Sequence, residues 1–177
     1  MLRARKWELV GDYSVEIWFR IAKDEDGYPE SKNWEQLLAR PVLERDDHFQ
    51  IESTPFYLKN VSRGDIVRVD IVEDKEIQEG EIFQFGEVID RGGHNTYRLL
   101  LRKKHLNDPK FTTNELLIKG LAVEEQYGDF FAVDVPSTVD QQAIDDYLRA
   151  ERHAGRWEMQ DGYLDAVVTS YRQKKAL

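Results

Sequence analysis

The residues that come nearest to a chemical motif are Asp24-Glu25-Asp26-Gly27, which open like a calcium-binding loop, with carboxylates at alternate positions and a glycine for a sharp turn. Such a loop needs further oxygen ligands at regular spacing and a bidentate Glu at its twelfth place. Counted from Asp24, the twelfth place holds Glu35, but the intermediate ones hold Tyr28, Glu30 and Lys32, and the glycine stands fourth instead of sixth. Asp26-Gly27-Tyr28-Pro29 is therefore read as a turn, followed by a short helix through Trp34 and Leu38, with no metal. The histidines, His48, His94, His105 and His153, are scattered, with no HxH or HExxH spacing that would converge on one ion. His94 lies in the glycine turn Arg91-Gly92-Gly93-His94, yet the sequence implies no Ser or Asp partner for it. There is no GxGxxG and no GxxxxGK[ST], so phosphate cradles of those kinds are absent. With no cysteine, thiolate metal sites, disulfides and cysteine nucleophiles are excluded. These residues point to no catalytic residues, no metal and no cofactor.

Charge says more. The net charge is -9 and the pI is near 5.0, which disfavours nucleic acid or an anionic membrane as a partner and favours a basic protein. From Glu124 to Asp165 there are eleven Asp or Glu against three Arg. Within that segment Asp140, Asp145, Asp146 and Glu151 lie off the apolar stripe of an amphipathic helix, so they are the candidate partner-binding residues. Asp145 and Arg149 form an i,i+4 pair that offsets part of this charge. The N-terminus lacks an uninterrupted apolar run and no window approaches a membrane span, so a cytoplasmic location is expected.

The elements that must position these residues change character along the chain. Val15 to Ala22 alternates Val15, Ile17, Phe19 and Ile21 with Glu16, Trp18 and Arg20, the period of a half-buried strand. His48 to Thr54 and the following Pro55-Phe56-Tyr57-Leu58 read as extended, with Pro55 at a bulge or edge. Ser62-Arg63-Gly64-Asp65 supplies a turn before the strand Ile66 to Val72. EIFQFGEVID and NTYRLLLRKK flank the Gly92-Gly93 turn as a hairpin. After about residue 105, Thr112-Thr113-Asn114-Glu115 has capping-box form and starts a helix over about 113–126. DFFAVDVP is a buried strand, and Ser137 caps a second helix over about 138–154, striped by Val139, Ala143, Ile144, Tyr147 and Leu148 and ended by Gly155. RWEMQDGYL resumes as a strand. The expected class is α+β: a curved antiparallel β-rich lobe over 1–105, then a small α/β sandwich lobe, β-α-β-α-β, over 106–177, the two forming one compact unit with a shared interface.

DEDGYP with WEQLLARPV, TPFYLKNVSRGDIVRV, FGEVIDRGGHNTYRLLL and FFAVDVPSTVDQQAIDDYLRAERHAGRWEMQDGYL resemble the successive landmarks of a bacterial family catalogued as domain of unknown function 4265. The likeness spans about Ile17 to Leu164. It implies no catalytic residues; what it suggests is a binding role, as an immunity protein that neutralises an antibacterial toxin. The expected function is thus non-enzymatic binding of a basic protein, a cognate toxin, through an acidic surface. The alternative is a small enzyme or ligand-binding regulator with a pocket between the lobes near His94.

Overall fold

The computed structural model describes residues 13–22, 33–43, 45–75, 77, 79–102 and 109–162. Asp24 to Gly27 and the turn read there lie outside the described residues. The chain forms two units, one from the segments up to Ser53 and Gly64–Gly92, the other from Thr54–Arg63 and from Gly93 onward.

The first unit is a closed barrel of five strands: β1 (Val15–Arg20), β2 (Trp34–Pro41), β3 (His48–Ile51), β4 (Ile66–Glu73) and β5 (Glu81–Asp90). Each strand is antiparallel to the next. In a meander of five, first and last strands run the same way, so the sheet closes through a parallel pair, Ile17↔Phe83 and Trp18↔Gln84. Closure removes the exposed edges that a small open sheet would leave. Alternation fills the interior with Ile17 and Phe19, Leu37 and Ala39, Phe49 and Ile51, Val67 and Val69, all buried. Phe19 stacks on Phe85 at 4.7 Å between ring centroids.

The helix expected through Trp34 and Leu38 is β2 instead. Trp34 and Leu38 sit four apart, which suits a helix, but Leu37 and Ala39 are buried while Gln36, Leu38 and Arg40 are exposed, a period of two. Six register pairs with β1, from Val15↔Ala39 to Arg20↔Trp34, decide the matter.

The second unit runs β6 (Asn95–Leu101), α1 (Pro109–Ile118), β7 (Ala122–Gln126), β8 (Phe130–Val135), α2 (Gln141–His153), β9 (Trp157–Asp161). Its sheet has the order β7-β8-β6-β9 with antiparallel neighbours throughout. This is the split β-α-β, ferredoxin-like arrangement. The expected strand-helix alternation lacks β7, since the helix expected over about 113–126 runs through Ala122–Gln126. The hairpin expected across Gly92-Gly93 does not form: β5 pairs with β4 and β1, whereas β6 lies between β8 and β9. The main segment of the second unit therefore starts at Gly93 and not at the expected residue 106, and Thr54–Arg63 belongs to that unit as well.

Tyr97, Leu99 and Leu101 from β6, Phe131, Val133 and Val135 from β8, and Trp157 from β9 form its core with Leu116 of α1 and Ile144 and Leu148 of α2. The opposite face of the sheet is covered by residues 54–63, among which Pro55 to Leu58, expected to be extended, form no strand. Phe56 meets Phe130 at 5.4 Å, the Tyr57 hydroxyl donates to Gln126 at 2.7 Å, and the buried hydroxyls of Ser62 and Thr96 bond at 2.8 Å. Among the described residues no helix is long and apolar enough to cross a membrane.

Candidate functional site

The four predicted acidic residues lie on α2 or at its start, but not in equivalent roles. Asp140, and not Ser137, is the N-cap: its carboxylate accepts the Ala143 N–H at 3.1 Å. Asp146 is exposed and accepts from Gln142 at 2.9 Å. Asp145 is half-buried, takes the Tyr97 hydroxyl at 3.0 Å and binds Arg149 at 2.8 Å, as the i,i+4 spacing implied. Arg149 also reaches Asp161 at 2.8 Å. Its guanidinium pKa is pushed up, chiefly by the bond to Asp145. Burial and the adjacent Asp145 likewise raise the Tyr97 hydroxyl. Glu151 pairs with Arg156 at 3.2 Å. Asp145 and Glu151 are thus committed within the fold, which leaves Asp140 and Asp146 as the accessible part of this face.

A stronger acidic surface lies on the hairpin of β4 and β5. From Asp70 to Asp90 the sequence carries eight Asp or Glu against one Lys, a higher density than in the segment singled out above. Asp70, Glu73, Glu79, Glu81, Glu87 and Asp90 are all exposed. Arg68 holds Asp70 at 2.8 Å and Glu87 at 3.0 Å. Glu73 and Glu81, however, stand directly opposite each other across the ladder, like charges at a position where they destabilise a strand pair. Its signal in the sequence is local charge density, which a sum over the whole C-terminal third does not resolve.

His94 does have a carboxylate partner, which its sequence neighbours gave no sign of. Its Nδ1 lies 2.9 and 3.0 Å from the two oxygens of Asp134, a buried residue of β8. Burial pushes the Asp134 carboxyl above the usual carboxylate range, against the pull of the His94 bond and of nearby Arg63. The bond fixes Nδ1 toward Asp134 and leaves Nε2 as the second ring nitrogen, the arrangement of a base with its orienting acid. Among the described residues the ring's bonds are those to Asp134. The same turn is held structurally: Gln141, the first residue of α2, donates to the Gly93 carbonyl at 2.7 Å, and Asn95 donates to Gln141 at 3.2 Å. Among the described residues no cluster of three or more His, Asp or Glu is placed to hold a metal ion.

No curated protein matches the chain. In fold it is similar to a solved structure described as a hypothetical protein from Neisseria gonorrhoeae, with a TM-score of 0.61 at 15% identity over 88% of this chain and 99% of that one. At that identity the likeness concerns the fold alone. The model of the family described as domain of unknown function DUF4265 matches residues 35–159, from β2 of the barrel to β9 of the second sheet, and by that match the chain belongs to this family.

Proposed function

We propose that this protein is a non-enzymatic binding protein that takes a basic protein partner on its acidic surface, in the manner of a cytoplasmic immunity protein neutralising a bacterial toxin by direct contact. The observation that carries the reading is the β4–β5 hairpin, where acidic side chains are exposed and Glu73 faces Glu81 in register. Facing carboxylates on a surface strand cost the free protein stability, by roughly 0.2–1 kcal/mol for a directly opposed pair. A cation from a partner relieves that repulsion, and the surrounding negative field speeds the encounter. The net charge of -9 points the same way.

The test is protection of cells from a toxin encoded beside the gene, with binding kinetics measured at low and high salt. Glu73→Lys, which turns a repulsive pair into an attractive one, should hold or raise the melting temperature while slowing association. Full protection and an unchanged association rate in a Glu73→Lys, Glu79→Lys variant would sink the reading. The His94–Asp134 pair supports a second one, ligand binding or acid–base chemistry at the turn. His94→Ala with undiminished protection discards it.

A further inference from the structure

We infer that the partner is anchored at the turn between β7 and β8, where Tyr127 receives an arginine or lysine side chain of a basic protein segment. The inference rests on the reading of this protein as a binder of basic proteins, and it names a further element that such a partner engages beside the acidic β4–β5 hairpin. Tyr127 has φ 60° and Gly128 φ 81°, two successive left-handed residues of the kind that a tight hairpin turn fills with Asn-Gly. A bulky aromatic residue is an outlier there. Packing does not compensate the strain, because Tyr127 is 77% exposed. Strain that the fold does not need marks a residue kept for contact.

The surroundings match that use. Gln126, the preceding residue, is tied to the Tyr57 hydroxyl at 2.7 Å. Tyr57 and Phe56 lie against Phe130 at 5.9 and 5.4 Å between ring centroids. Leu100, opposite Phe130 in the ladder, is 45% exposed. The result is an aromatic platform with one projecting ring, the composition of an interface hot spot. Its rim is acidic: Glu124, exposed on the same face as Gln126, accepts the Thr54 N–H at 3.0 Å, Asp129 closes the turn, and Glu125, exposed on the opposite face of β7, adds to the negative field. A tyrosine face bordered by carboxylates favours a guanidinium or ammonium over an apolar or acidic group.

A hexa-arginine peptide, with hexa-glutamate as control, provides a defined probe for ¹H–¹⁵N shift mapping on the full chain. The expected result is that the largest shifts fall on Gln126 to Phe130 and on Leu100. Tyr127→Phe should keep the affinity, and Tyr127→Asn should weaken it about five-fold, the loss of one exposed cation–π contact. Because asparagine is at ease at positive φ, Tyr127→Asn should also melt about 2 °C higher, an effect opposite in sign to its loss of binding. Shifts confined to the β4–β5 hairpin or to α2, with Tyr127→Asn binding as wild type, overturn the anchor and leave the basic-partner reading standing. No shift with hexa-arginine at any residue overturns both.

Discussion

Replacing Arg156 with alanine is the sharpest test of how the second unit is held together. The guanidinium lies 2.7 Å from Glu115 of α1 and 3.2 Å from Glu151 of α2. It donates to the Thr112 hydroxyl at 3.2 Å and sits 4.8 Å over the ring of Trp157, which is fully buried. One side chain thereby joins α1, α2 and β9. Breaking a buried ion pair by removing one partner costs roughly 3–5 kcal/mol, because the other charge is left without compensation. Glu115 and Glu151 are 30% and 32% exposed, so water recovers part of the loss. The expected cost is about 2–3 kcal/mol, or a melting temperature lower by about 5–10 °C for a chain of this size. Arg156→Lys keeps the charge but loses the fork and should recover about half of that loss. The pH dependence gives an independent check. Burial alone would raise the Glu115 carboxyl, but the bonds from Arg156 and from the Tyr147 hydroxyl outweigh it and hold it below its ordinary value of 4.5. A depressed carboxylate contributes stability that is present above its unfolded value and lost as pH falls through the folded one. The gap between wild type and Arg156→Ala should therefore be widest near neutrality and narrow below pH 4.5. Urea denaturation, with hydrogen exchange read on α2 and β9, measures both effects. A variant within about 0.5 kcal/mol of wild type, or a gap that does not change with pH, refutes the reasoning.

Charge reversal along α2 should divide by role: Asp146→Lys should stay within about 0.5 kcal/mol of wild type, while Asp145→Lys, which strands the Tyr97 hydroxyl and repels Arg149, should lose about 2 kcal/mol in urea titrations. Gly92→Ala should unfold the barrel at markedly lower denaturant, by about 3 kcal/mol, since a Cβ there would stand 2.2 Å from the Gly64 carbonyl carbon. Asp134 has a raised carboxyl, so its stabilising share is complete below the ordinary value of 3.8 and lost as pH rises through the folded value. Asp134→Asn, which can still accept from His94, should flatten that decline when urea midpoints are compared between pH 3 and 7; an unchanged pH profile would mean that the buried carboxylate costs nothing.

Local pattern carried much of the fold into view. The alternation around Ile17 and Phe19 and the apolar run Phe131 to Val135 each admit one reading, and both are strands as expected, the second inside its sheet. What escaped were segments whose local grammar is shared by two structures. Leu116, Leu117 and Leu121 keep helical spacing past the true end of α1, and the stop signal was Gly120, whose φ of 83° closes the helix and frees Ala122 to Gln126 to become β7. Thr112, read as a cap, is a buried interior residue of α1 that accepts from Arg156. Residues 54–63 have strand composition, but their polar backbone is satisfied at long range, as where the Asn60 N–H meets the Gly162 carbonyl at 2.8 Å, and no periodicity encodes such a partner.

The same distinction governs the acidic residues, because accessibility is set by where the chain returns and not by helical spacing. Asp145 with Arg149 was legible, four residues apart on one helix. Glu151 with Arg156 was not, since five residues along a continuing helix would place them on different faces. Gly155, at φ 78°, reverses the chain so that the Arg156 N–H meets the Glu151 carbonyl at 3.0 Å and the Gly155 N–H meets that of Arg152 at 3.0 Å. That is a Schellman closure, and it swings Arg156 back over the helix it has just left. The glycine that ends α2 thus decides that Glu151 serves the interior. Replacing it with alanine, at a φ that L residues rarely adopt, should loosen the Arg156 network together with the helix end, lowering stability by about 1 kcal/mol or more. Hydrogen exchange should then quicken at the Gly155 and Arg156 amides before the rest of α2; uniform exchange along α2 would show that the closure and the ion pairs are independent.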